Sequence, residues 1–179
     1  LLLFSCDDLL EHSGPLSYDT LISEGWEHFI DKDYEMAEEL FTEVLEIDSS
    51  LVPYFSDALV GLGWTNLYHA KELTGSSTEN INQRFALRDS ANMLLLLAYD
   101  EMNSYSGNEE IPYNLISDLY AGLSYATSSL VLHDNFIYGE DSDELVYSAL
   151  DYSDSLLSQT PDYYFLYDST NINSNNIHL

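Results

Sequence analysis

The sequence predicts an all-α fold in which antiparallel helical hairpins stack into a short solenoid of about six to seven helices. Apolar residues recur at helical spacing along most of the chain, and strand patterns are scarce. A pattern of glycine, alanine and large apolar residues at 25–45 returns twice in degenerate form. With 179 residues and 45% hydrophobic composition, the chain is long enough to bury one core. Hairpin units bury their apolar faces only when about three of them stack.

The first hairpin spans residues 21–48. A helix is predicted over 18–30, and its apolar face consists of Leu21, Ile22, Trp26, Phe29 and Ile30. Gly25 lies inside this helix, where glycine costs about 1 kcal/mol relative to alanine, so it indicates close approach of a second helix. Asp33 is the expected N-cap of that second helix, predicted over 34–47. Small Ala37 lies on its inner face and allows the two helices to touch.

This pattern resembles the tetratricopeptide repeat, a helix–turn–helix unit of about 34 residues. The residues that match the repeat are Gly25, Tyr34, Ala37, Phe41 and Leu45. Leu21 occupies the position where the family usually has tryptophan, and Ser49 the position of an expected proline. An ordinary helical hairpin is the alternative interpretation.

A second repeat begins at Gly63-Trp64, which corresponds to Gly25-Trp26. Ala91, Leu95 and Ala98 then repeat the spacing of the first hairpin's second helix, after a predicted insertion at 71–85. These helices are expected over 53–73 and 81–102. The block 93–98 is apolar nearly all round, which predicts that the fourth helix is the most buried.

A third, more degenerate repeat begins at Gly122, in a helix predicted over 112–132. Its second helix is predicted over 141–159 and carries Ala149 and Leu156 on one face. Ser153 stands where a large residue is expected, and an insertion lies near 135–143. The resemblance covers most of residues 18–161.

The first six residues, LLLFSC, resemble the end of a bacterial lipoprotein signal peptide. That resemblance implies cleavage before Cys6, acylation of Cys6 and a place in the bacterial cell envelope, facing the periplasm or the cell surface. Residues 1–5 would then be the end of the signal peptide, 6–17 a lipidated tether, 18–168 the helical domain, and 169–179 a disordered tail or a truncated continuation. The alternative is a buried N-terminal helix with an inert thiol.

The charge balance excludes nucleic acids as partners. Four basic residues face 32 acidic ones, and the net charge is −28. Such a surface repels phosphates and anionic lipid. The excess of acid indicates solubility in a salty medium, where salt screens the self-repulsion. The alternative is a basic partner or bound divalent cations.

The sequence indicates a protein that is not an enzyme and has no cofactor. Its five histidines form no metal-binding pair, and neither a phosphate-binding loop nor a nucleophile-elbow motif occurs. An acidic cluster at Asp141, Asp143 and Glu144 is interpreted first as a helix cap and second as a loose calcium site. No apolar run reaches about 18 residues, so a lipid anchor is the expected attachment to a membrane.

The resemblance also implies a binding groove, because the first helix of each tetratricopeptide repeat lines a concave surface that holds a peptide. The corresponding residues are Ile22, Trp26, Phe29, Val60, Trp64, Leu67 and Leu123. This apolar strip predicts a scaffold that holds a segment of another envelope or secreted protein. One alternative is a pocket for a small molecule or glycan, closed by the insertions. Another is that these aromatic residues are core.

Overall fold

The computed structural model describes residues 17–47, 51–108, 110–137 and 143–177, and these form six helices and no strand. The helices are α1 (Tyr18–Ile30), α2 (Tyr34–Ile47), α3 (Val52–Glu72), α4 (Thr78–Ser104), α5 (Tyr113–Ile137) and α6 (Asp143–Gln159). The predicted all-α fold of packed helical hairpins is confirmed.

The helices form two layers. Each helix packs against the next one in the chain, and in addition α1 packs against α3, and α3 against α5. Among the described residues, the backbones of α2 and α4, and those of α4 and α6, do not approach closely, although the Tyr99 ring of α4 makes an edge contact with Tyr152 of α6 at 6.5 Å between ring centroids. The odd-numbered helices therefore form a continuous inner layer, and the even-numbered helices lie behind it as an outer layer.

Phe41 of α2 fills the space between α1 and α3. A Cβ atom added to Gly25 would lie 2.8 Å from the Phe41 ring, and one added to Gly61 would lie 2.5 Å from it. Both distances are shorter than real Cβ contacts, so a larger residue at either position would force the buried Phe41 ring to shift. The close approach expected from Gly25 is confirmed. Asp33 also has its predicted role, since its Oδ1 accepts a hydrogen bond of 3.4 Å from the amide of Met36.

Leu95 of α4 repeats this arrangement between α3 and α5. A Cβ atom added to Gly63 would lie 2.6 Å from the Leu95 side chain, and one added to Gly122 would lie 3.1 Å from it. Ala37 and Ala91, which precede Phe41 and Leu95 by four residues, are both fully buried. The outer helices α2 and α4 therefore present the same register to the inner layer.

The prediction that the fourth helix is the most buried is wrong. Met93 is 64% exposed and Leu97 is 43% exposed, while Ala91, Leu95 and Ala98 are fully buried. The reason is that α4 belongs to the outer layer and packs on α3 and α5 through one face. The helix α3 lies between neighbours in both layers and buries most of its residues instead.

The insertion predicted at 71–85 mainly lengthens the two helices that flank it. Only residues 73–77 form a loop between α3 and α4. Ser77 caps α4, since its Oγ accepts a hydrogen bond of 3.2 Å from the amide of Asn80. Arg84 fixes the loop by donating hydrogen bonds to the carbonyls of Leu73 and Gly75. The insertion near 135–143 includes five residues, 138–142, that lie outside the described chain.

Residues 160–177, called here the C-terminal segment, follow α6 as a series of turns. Phe165 N donates to Ile172 O at 2.9 Å, and Ser174 N donates to Tyr163 O at 2.7 Å. The described part of the expected disordered tail, residues 169–177, is therefore folded. Ile172 and Ile177 account for this difference, because both are buried in the core.

Candidate functional site

All seven residues of the predicted groove are buried. Trp64, Val60 and Leu123 are inaccessible to solvent, and Trp26 is 6% exposed. The remaining three, Ile22, Phe29 and Leu67, are each at most 8% exposed. They lie on α1, α3 and α5, so the structure does bring them together on the inner layer. They share one core cluster with residues of the C-terminal segment.

Two stacked aromatic pairs join the segment to the inner layer. The Phe165 ring stacks on Trp64 with centroids 4.2 Å apart and planes at 21°. The Tyr167 ring stacks on Trp26 at 4.1 Å, with planes at 3°. Phe165 is fully buried and also makes an edge contact with Phe29 at 6.1 Å. The segment therefore covers the aromatic strip that the sequence assigns to a groove.

Hydrogen bonds fix the register of the segment. The Tyr163 hydroxyl donates to Asp118 Oδ1 of α5 at 2.8 Å. The Tyr68 hydroxyl of α3 donates to Asp168 Oδ2 at 2.6 Å. Asp118 also accepts the indole N–H of Trp64 at its backbone carbonyl, at 3.1 Å. The hydrogen bond of Tyr163 therefore lies two residues before Phe165, and that of Asp168 directly follows Tyr167.

Two buried carboxyl groups, those of Asp118 and Asp57, have pKa values above the ordinary value for aspartate. Burial raises the pKa of Asp118 to about 7, against a lowering effect of the Tyr163 hydrogen bond and with a further raising effect of the Asp57 charge. Burial raises the pKa of Asp57 to about 6, and the hydrogen bond from Trp26 opposes that rise. Neither residue has a basic partner among the described ion pairs. Burial therefore favours the protonated form of Asp118.

The backbone of the C-terminal segment makes no hydrogen bond to the inner layer in the described structure. Its backbone hydrogen bonds stay within the segment, apart from the bond of 2.7 Å from Thr160 N to Leu156 O at the end of α6. Side chains alone therefore attach the segment to α1, α3 and α5. This is the way a bound peptide is held on a surface without strand pairing.

A cleft of about 300 Å³ remains open beside Trp26. It lies between α1, the first turns of α3 and Tyr167 of the segment. Trp26 Nε1 donates a hydrogen bond of 3.0 Å to Asp57 Oδ1 at this place. The cleft is the part of the predicted groove region that the segment leaves accessible.

The calcium candidates are only partly described. Asp143 and Glu144 form the first turn of α6, and Asp141 lies outside the described residues. Within the described ranges, no group of three or more His, Cys, Asp or Glu side chains is arranged to hold a metal ion. Cys6 also lies outside the described residues, so its lipidation stays a prediction.

Sequence reasoning missed the C-terminal segment as part of the site, although a signal is present. Tyr163, Phe165 and Tyr167 alternate with exposed Tyr164 and Leu166, a period of two typical of an extended chain with one buried face. The helical domain predicted from the sequence instead extends to residue 168. The buried acids Asp57 and Asp118 had no comparable signal among 32 acidic residues.

A scan against protein-family models, a search of curated proteins and a search of solved structures found no match. The resemblance to the tetratricopeptide repeat therefore depends on the residues and on the helical arrangement described above. Among the helices of the described chain, none is both long enough and apolar enough to cross a bilayer.

Proposed function

We propose that this protein is a non-enzymatic scaffold of the cell envelope that binds a segment of another protein on its inner layer. The observation that carries the proposal is the docking of residues 160–177 there. An irregular peptide of the chain itself covers α1, α3 and α5 through aromatic stacking and side-chain hydrogen bonds. The surface therefore has the chemistry to hold a peptide, and the partner segment would exchange with the C-terminal segment.

Exchange is physically reasonable because the segment is attached by side chains alone. Its release would break no backbone hydrogen bond of the inner layer, since those described are internal to residues 156–177. The partner segment must replace the buried apolar contacts of Phe165, and buried aromatic residues carry much of an interface's binding energy. We therefore expect a partner segment with aromatic residues at alternate positions.

The experiment weakens the segment's docking and measures partner capture. Full-length protein with Phe165→Ala should capture more partner from native envelope extracts than wild type, because the competing segment binds less tightly. Tyr164→Ala is the matched control, since Tyr164 lies in the same segment but is 59% exposed. A synthetic peptide of residues 160–177 should release the captured partner, and a scrambled peptide should not. Equal capture by all three proteins, or no release by the peptide, would refute the proposal.

A second candidate function is the binding of a small molecule rather than a peptide. The specific observation in its favour is the cleft beside Trp26, which stays open while the segment is docked. A ligand there would not compete with residues 160–177. The two functions therefore differ in whether binding displaces the segment.

A further inference from the structure

The cleft beside Trp26 combines aromatic rings and carboxyl groups. Its lining residues include the aromatic residues Trp26, Tyr54 and Tyr167 and the acidic residues Asp19, Glu27 and Asp57. The Trp26 and Tyr167 rings are held in place by their own stacking at 4.1 Å, and Tyr54 stacks on Tyr18 at 5.5 Å. These aromatic walls are therefore positioned before any ligand arrives.

Asp57 provides the cleft with a buried carboxyl group that has no basic partner among the described ion pairs. Its side chain lies between α1 and α3, and its Oδ1 accepts the Trp26 indole N–H at 3.0 Å. That donor is neutral, and none of the described Lys, Arg or His side chains forms an ion pair with Asp57. A carboxylate removed from water without a counter-ion is unfavourable, and burial accordingly raises its pKa to about 6. A cation in the cleft would supply the missing charge.

The acidic and aromatic lining of the cleft does not suit anions or bare divalent metal ions. Three carboxyl groups repel phosphates and other anions. A bare divalent ion needs several oxygen ligands around one point, and no such group exists within the described residues. Aromatic faces attract cations through the ring quadrupole, most strongly when the cation is partly desolvated. A cation with an organic body satisfies both the rings and the carboxylate.

We propose that the cleft binds an organic cation, an alkylammonium or guanidinium group, with Asp57 as its counter-ion and Trp26, Tyr54 and Tyr167 as its walls. The cation belongs either to a free amine or to a Lys or Arg side chain of a partner. This inference deepens the second candidate function and does not require the C-terminal segment to leave. Its failure would therefore leave the peptide-exchange experiment unaffected, and the reverse also holds.

The test titrates full-length protein at about pH 8 with n-butylammonium, n-butylguanidinium and an arginine tripeptide with blocked termini. Saturable binding is followed by calorimetry and by the protein's tryptophan fluorescence. Asp57→Asn should weaken the best probe about tenfold or more, since the asparagine oxygen still accepts the indole N–H but carries no charge. Ser23→Phe should also abolish binding, because Ser23 is an exposed residue of the cleft and the larger ring fills the space.

A control variant is needed because the net charge of −28 attracts any cation weakly, wherever it binds. Glu38→Gln on the exposed face of α2 removes the same charge far from the cleft and should leave affinity unchanged. Tighter binding of the tripeptide than of either small probe identifies a partner's side chain as the ligand; equal or weaker binding identifies a free amine. Absence of saturable binding, or equal loss in Asp57→Asn and Glu38→Gln, would overturn the proposal.

Discussion

The Phe165 ring lies on the Trp64 indole with centroids 4.2 Å apart, and both side chains are fully buried. A residue of the C-terminal segment thus covers a tryptophan in the central helix of the inner layer. The pair connects the proposed function with stability, because the strip expected to bind a partner is also part of the core. A substitution in this strip is therefore expected to change the stability of the fold as well as the binding of a partner.

Trp64→Ala should destabilise the protein by about 3–5 kcal/mol, because it leaves a large cavity between α3, α5 and the segment. Urea unfolding followed by circular dichroism measures this change. Tyr164→Ala is the control and should shift the unfolding free energy by less than about 0.5 kcal/mol, since Tyr164 is largely exposed. An aqueous quencher should also fail to reach Trp64 in the folded wild type. Ready quenching of both tryptophans would contradict the buried arrangement.

Ala37→Leu and Ala91→Leu should each destabilise the protein by about 1–3 kcal/mol. Both alanines are fully buried where an outer helix meets the inner layer, so three added carbon atoms overpack the contact. Ala86→Leu introduces the same side chain at an exposed position of α4 and should be nearly neutral. The melting temperatures of the three variants, measured by thermal unfolding and compared with wild type, test this expectation. Similar melting temperatures for all three would mean that the helix register is wrong.

Stability should increase as the pH falls from about 7.5 to about 5. Burial raises the pKa of Asp118 to about 7 and of Asp57 to about 6 in the folded protein, whereas both lie near 3.8 when unfolded. The folded state therefore binds more protons in this range, so the stabilising contribution is complete below about pH 3.8 and is lost as the pH rises through the folded values. For the two groups together, the expected gain in unfolding free energy between pH 7.5 and pH 5 is about 4 kcal/mol.

Asp118→Asn provides the check on this pH dependence. The variant keeps an oxygen that accepts the Tyr163 hydroxyl but no longer titrates, so its stability should change less steeply between pH 7.5 and pH 5. Asp162→Asn, at an exposed position, removes one charge and should keep the wild-type slope. Urea unfolding at several pH values gives the slopes. Equal slopes for all three proteins would show that Asp118 does not titrate in this range.

Cys6→Ser in a full-length precursor should release the protein into the soluble fraction. The expected cause is loss of the acyl chains that hold the protein on the membrane. Membrane fractionation and intact-mass measurement together test this expectation. Membrane retention of the variant, combined with an unmodified mass of the wild type, would contradict lipidation.

Much of the fold could be predicted because the first hairpin is locally determined. Gly25, Ala37 and Phe41 lie within one short stretch, and their spacing alone indicates which faces meet. The burial of the fourth helix could not be judged in the same way. The block from Met93 to Ala98 is apolar all round, and only the packing of α4 in the outer layer decides which of its residues face solvent.

The sequence predicted the aromatic residues of the candidate site but not the segment that covers them. Trp26 and Trp64 follow Gly25 and Gly63 in the same way, which predicts that successive repeats present them on the same side, and the structure brings both into one core cluster on the inner layer. What covers them depends on residues far along the chain, and Tyr163 to Tyr167 gives only a short alternating signal beside a polar stretch rich in Asn and Ser. The charge environment of Asp57 arises from tertiary burial, which no local pattern encodes.

The docking of the C-terminal segment has a consequence for synthesis of the protein. The ribosome makes residues 160–177 after all six helices, and helical hairpins with local contacts form rapidly. On the nascent chain, the ring faces of Trp26 and Trp64 that Tyr167 and Phe165 cover in the folded protein therefore stay exposed until the C-terminal segment emerges. Since exposed apolar surface promotes aggregation, this interval is the stage at which the newly made chain most needs a chaperone.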